Sequence, residues 1–149
     1  MKPTSMILIF ILIAGTHTAL GQKRKIFDPN GGEFQISGEK PAGFEGFERM
    51  YLQTLSSNER RIAPRGGVEF GRMEYAMRNI VFDGRYWSFD TVSIGGVHYK
   101  FYGRFRKLKF DEHGAIIGDR ALQGRFIKFV RGKSSVKAEL IFSFVYYSD

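Results

Sequence analysis

The chain contains no cysteine. No disulfide can therefore supplement its core and no lipid-modified cysteine can anchor it, so a domain of this size is held by burial alone. There is no Asn-x-Ser/Thr acceptor for glycosylation either. Histidine is scarce, and the two that follow the N-terminal segment, His98 and His113, lack metal-ligand spacing. No serine stands in a Gly-x-Ser-x-Gly setting. Gly132-Lys133-Ser134 resembles the end of a phosphate-binding loop, but the first glycine of that motif would fall at Ile127. The segment also lies between strand-like runs and reads as a hairpin turn. Carboxylates at Asp83, Asp90, Asp111, Glu112 and Asp119 mostly fall in turns, where aspartate bonds its own backbone, so no acid/base pair follows from spacing. These absences point to a non-enzymatic protein with no cofactor and no metal site.

The chain also lacks an apolar run of bilayer length. Met6 to Gly15 falls short of the roughly 20 residues that a membrane-spanning helix needs. It follows Lys2 and ends in small residues, the pattern of a secretory signal peptide over residues 1–21. Ala19 and Gly21 supply the small side chains before the cut, which places the mature start at Gln22. Residues 22–30, with Lys23-Arg24-Lys25, read as a flexible leader. A secreted or periplasmic protein of bacterial origin is expected, with no transmembrane helix. The remaining 31–149 suffice for one packed domain, since the 149-residue chain is 43% hydrophobic and 15% aromatic. Removal of Lys2 leaves 22 of 23 basic residues against 15 acidic ones, a formal net charge of +7 that favours anionic partners without identifying one.

Glycine and polar clusters punctuate apolar segments at short intervals, which suits an all-β domain. Turns are expected at Asn30 to Gly32, Ser37 to Gly43, Pro64 to Gly67, Asp83-Gly84, Gly95-Gly96, Asp111 to Gly114 and Arg131 to Ser135. They bound six or seven strands of a small antiparallel barrel or sandwich. In the last run, Val136, Ala138, Leu140, Phe142, Phe144 and Tyr146 alternate with other residues at period two, which predicts a strand buried on its even-numbered face. Phe44, Phe47, Tyr51 and Leu55 fall at helical spacing, so one short helix is the alternative there to a strand. Gly-Arg followed by an apolar residue recurs at 71, 84, 103 and 124. The uneven spacing excludes a repeat array and leaves strand openings or twisted strand interiors.

Gly95-Gly96 can form a two-residue hairpin turn, which fixes a register in which Ile94 pairs with Val97. Counting outward, Trp87 faces Arg104 and Phe89 faces Tyr102 beside His98 and Lys100, while Asp90 and Tyr86 lie on the core side. The face bearing Trp87, Phe89, His98, Lys100, Tyr102 and Arg104 combines rings with cations, the composition of a stacking platform. It is the candidate binding surface for an anionic or glycan-like ligand or a protein partner. Arg125, in the second Gly-Arg-Phe string, is expected to lie apart from it. Sequence-specific nucleic-acid binding is not indicated. Two other readings are a lipocalin-like carrier with an apolar cavity and a small outer-membrane barrel. The second is opposed by Lys107, Lys109, Arg125 and Lys128, whose charges fall on both strand parities.

Overall fold

The computed structural model describes residues 29–54, 56–57, 60–61, 63–113, 116–118 and 120–147. The expected signal peptide, the leader as far as residue 28, and Asp119 lie outside the described residues. The structure is all-β. Its strands are β1 (Gly32–Ile36), β2 (Phe47–Gln53), β3 (Ser56–Ser57), β4 (Arg60–Arg61), β5 (Arg65–Phe70), β6 (Met73–Phe82), β7 (Tyr86–Thr91) and β8 (Val97–Phe105). They continue with β9 (Lys109–Phe110), β10 (Ile116–Ile117), β11 (Leu122–Val130) and β12 (Val136–Tyr146). Eight of them close an antiparallel barrel in the order β1-β12-β11-β8-β7-β6-β5-β2, while β3–β4 and β9–β10 form two-residue hairpin extensions. Each barrel strand therefore pairs with the next barrel strand in sequence, and the last returns to the first. Closure runs from Gly32↔Tyr146 to Ile36↔Phe142 on one side of β1 and through Phe34↔Met50 on the other.

Period-two alternation sends apolar side chains inward. In β12 this is the even face, with Leu140, Phe142 and Phe144 buried, although Val136 and Tyr146 at its ends stay exposed. Phe126 of β11 occupies the middle of the barrel. Its ring lies 5.6–6.4 Å, centroid to centroid, from those of Phe44, Phe47, Phe70, Phe89, Tyr99, Phe101 and Phe142. These rings come from β2, β5, β7, β8, β12 and the turn before β2, so aromatic contacts cross the barrel section. Charged side chains, including Glu69, Glu74, Arg78, Arg104, Arg125 and Glu139, take the opposite parity. An outer-membrane barrel requires the reverse alternation, apolar outward. No helix of the described residues is long and apolar enough to cross a membrane.

Several expectations need correction. The barrel has eight strands where six or seven were expected. The segment at helical spacing is strand over Phe47–Gln53 and not the alternative helix, with Leu55 outside the described residues: Phe44 and Phe47 meet in a turn in which the Phe47 amide donates to the Phe44 carbonyl, and both rings enter the core. Pro64 to Gly67 is no turn, because β5 begins at Arg65 and pairs Gly66 with Leu52 and Gly67 with Tyr51. The end of the expected leader is tied down. Pro29 is buried, and Asn30 both donates from Nδ2 to the Thr54 carbonyl and accepts from the Thr54 amide. Of the four Gly-Arg strings, the first two fall at the β5–β6 and β6–β7 turns and the last two in strand interiors.

Candidate functional site

The turn that set the expected register is present. Gly95 and Gly96 have φ of 60° and 80°, and Ile94 bridges Val97. Farther along, however, Asp90 pairs with Lys100, Phe89 with Phe101, Trp87 with Gly103 and Tyr86 with Arg104. One residue has been inserted on the β7 side, because Thr91, Val92 and Ser93 oppose only His98 and Tyr99. The local bonding shows how. The Val92 amide turns away to the Ala76 carbonyl of β6, and the Thr91 hydroxyl accepts the Tyr99 amide at 3.0 Å while donating to the Val92 carbonyl. This β-bulge shifts the register by one, which exchanges the two faces of β7.

The energetics favour the bulge. Without it, Asp90 would point into an apolar interior, where an unpaired carboxylate is far costlier than one lost ladder bond. Trp87 and Phe89 would instead stand in water, forgoing about 1.5–3 kcal/mol of burial each. In the structure Trp87 is fully buried against Phe34, Phe89 and Phe101, with ring centroids 5.2–5.8 Å away. Asp90 faces outward, where Asn79 Nδ2 donates to its carboxylate at 3.0 Å. Asn79 is itself a bulge residue of β6, with φ of 50°.

The six residues expected on one face therefore divide. Trp87 and Phe89 belong to the core. His98, Lys100, Tyr102 and Arg104 remain outside along β8, and outward residues of β7 and β11 complete their surface. Reading across the three strands, Tyr86, Arg104 and Gln123 make one row. Ser88, Tyr102 and Arg125 make the next, Asp90, Lys100 and Ile127 a third, and His98 and Phe129 the fourth.

Two hollows share the Tyr86 end. The first, of about 400 Å³, lies between Tyr86, Tyr102, Arg104 and Arg125 over the backbone of Gly103 and Gly124. The second, of about 430 Å³, continues from Tyr86 and Arg104 to Arg85, Arg106 and Lys107. Tyr86 and Tyr102 are each about half exposed, at 52% and 55%. Arg125 is paired with Glu139, Nε to Oε1 at 2.7 Å. Arg104, Arg106 and Lys107 have no ion-pair partner among the described residues. The turn that presents Arg85 and Tyr86 is held by Asp83, whose Oδ1 accepts their amides at 2.7 and 2.6 Å. Those bonds, from Tyr86 and then Arg85, hold the Asp83 carboxyl below its usual range.

The far end of β8 has a third hollow, of about 480 Å³, bounded by Arg78, His98, Phe129 and Arg131. His98 stacks on Phe129 with centroids 4.6 Å apart and planes within 4°. Lys100 Nζ lies 5.8 Å from the same ring. Sequence reasoning missed Tyr86, Arg85, Arg106, Lys107 and Arg125. Tyr86 was assigned to the core by the unbulged register, and Arg125 was set apart although it pairs directly with Tyr102. The signal that could have found the bulge is Asp90, a charge that the simple register places inside.

A second cluster of charge lies on the opposite wall. Arg49 of β2 donates from Nη1 to Glu33 at 2.7 Å, and its Nε lies 2.8 Å from Glu69 as a charge contact without hydrogen-bond alignment. Tyr51 donates to Glu74 nearby. Arg49 has a carboxylate on either side, so the wall reads as internal bracing, whereas Arg104 on the β7–β8–β11 face, with Arg106 and Lys107 beside it, has no such partner among the described residues. Comparison of the chain with protein-family models, with curated proteins and with solved structures finds no match, so the surface itself carries the functional argument.

Proposed function

We propose that the protein is an exported, non-catalytic β-barrel that binds an anionic glycan on its outer wall at β7, β8 and β11. The observation that carries this reading is the pair of joined hollows in which exposed Tyr86 and Tyr102 flank Arg104, with Arg85, Arg106 and Lys107 beside them. Tyrosine faces stack on the flat C–H surface of a sugar, and a guanidinium grips a carboxylate or sulfate through two parallel hydrogen bonds. The signal-like segment over 1–21 supports a place outside the cytoplasm, where acidic glycans are met. The carrier reading has less support, because ring contacts run through the barrel interior. The outward charges weigh against an outer-membrane barrel.

Fluorescence anisotropy with a labelled oligogalacturonate tests the proposal. Arg104→Ala and Tyr102→Ala should each weaken binding by about tenfold or more, as expected for central contacts of an interface. Affinity should also fall as salt rises. Arg65→Ala, an exposed cation on β5, should leave binding unchanged. Equal losses from Arg65 and Arg104 would reduce the interaction to diffuse positive charge and overturn the reading.

A further inference from the structure

We infer that the outer face of β8 is one continuous track for a linear acidic polysaccharide, running from the hollows at Arg104 to the hollow at His98; this rests on the proposed binding of an anionic glycan. Outward residues of a strand recur every second position, about 7 Å apart. Arg104, Tyr102, Lys100 and His98 therefore extend over roughly 20 Å of surface. Cations and rings alternate along that length. Arg104 stands by Tyr86, Tyr102 pairs with Arg125, Lys100 reaches towards Phe129, and Phe129 stacks on His98. Both ends are basic, with Arg106 and Lys107 at one and Arg78 and Arg131 at the other. A single small anion would use one hollow and leave the other idle. A chain carrying charge on successive units would use both.

The track also favours sugar over single-stranded DNA. Asp90, Ser88 and Gln123 lie along its middle and near end, on the rows of Lys100, Tyr102 and Arg104. They offer hydrogen-bond acceptors to hydroxyl groups, which a sugar chain supplies at every unit. The phosphodiester backbone of DNA supplies no donor to meet them.

The test is a length series of oligogalacturonates, from disaccharide to octasaccharide, titrated by calorimetry against the full chain and two variants. Affinity should rise at least about tenfold between disaccharide and hexasaccharide and then level off, as the far hollow becomes reachable on the same chain. A His98→Ala/Phe129→Ala variant should lose that gain while binding the disaccharide normally. Because Phe129 is partly buried, Arg78→Ala/Arg131→Ala serves as a second variant, confined to exposed side chains, and should lose it too. If disaccharide and octasaccharide bind alike, or both variants keep the gain, binding is confined to the Arg104 end and the track is overturned while the proposed function stands. If no oligogalacturonate binds, the proposed function fails with it. Tighter binding of single-stranded thymidine oligomers than of oligogalacturonates of equal charge would overturn the polysaccharide assignment.

Discussion

Gly103 of β8 stands opposite Gly124 of β11, both turned into the barrel, and the ring of Phe101 lies across the two. A Cβ at Gly103 would sit 2.3 Å from Phe101 Cζ, and one at Gly124 would meet the Tyr102 carbonyl at 2.4 Å and Phe101 Cε2 at 2.7 Å. The paired glycines thus make room for one aromatic ring that packs on Phe126 and Phe142. They also set the floor of the Tyr102–Arg104 hollow at backbone level.

Gly103→Ala and Gly124→Ala should each destabilise the barrel by on the order of 1–3 kcal/mol, since the methyl must displace a core ring or a strand. Gly46→Ala should change stability by less than about 0.5 kcal/mol, as its nearest neighbour, Phe70 Cδ1, is 4.0 Å from the added carbon. Urea denaturation midpoints decide. Equal tolerance at all three positions would mean that Phe101 does not lie over the glycine pair.

Much of the fold was legible because it rests on burial. The even face of residues 136–146, the Gly95-Gly96 turn and the turn at Gly132, whose φ is 72°, each follow from period or from a local backbone demand. The Thr91–Ser93 bulge was not legible, because it depends on the Thr91 hydroxyl replacing a ladder carbonyl and on β6 offering the Ala76 carbonyl to Val92. That is a tertiary event three strands wide. Its consequence is large, since a single inserted residue decides which of Trp87 and Tyr86 faces outward. The composition of the candidate surface survived the shift because β7 carries an aromatic residue at both parities.

Trp87 should accordingly emit as a buried indole, blue-shifted and poorly quenched by iodide. Trp87→Phe should leave oligogalacturonate binding within about twofold of the native value, since the ring is absent from the proposed binding face. Solvent-exposed emission, or loss of binding in a folded Trp87→Phe variant, would place the tryptophan outside and refute the bulged register.

Arg49 is gripped by two carboxylates. Its contacts with Glu69 and then with Glu33 push its ionisation even higher than usual. Glu33 is only 8% exposed, so Arg49→Ala strands a carboxylate that water reaches poorly. Loss of about 1–3 kcal/mol at neutral pH is expected. The Glu33→Gln/Arg49→Ala/Glu69→Gln triple variant should recover part of it, because no unpaired charge remains. Denaturation midpoints that show the triple variant no better than Arg49→Ala would assign the loss to packing of the arginine stem instead.

Tyr51 lies over Gly67 and donates to Glu74; a Cβ on that glycine would come within 2.8 Å of both the phenol oxygen and Glu74 Oε1. Burial first, and then the Glu74 carboxylate, pushes the Tyr51 phenol up to about 12. An unfolded tyrosine ionises near 10. The folded state therefore prefers the neutral phenol, and the stability this contributes is complete below about pH 10 and lost as pH rises through about 12. The partly exposed position limits the size of the effect, but not its sign. Urea midpoints measured from pH 9 to pH 12 should fall for the native protein. Tyr51→Phe should begin lower and lose less over the same window, so the two curves converge at the alkaline end. Tyrosinate absorbance should show the same group directly, as a late transition near pH 12 that the variant lacks. If Tyr51 ionised with the freely exposed tyrosines, or the two stability curves stayed parallel, its contact with Glu74 across Gly67 would not be formed in solution.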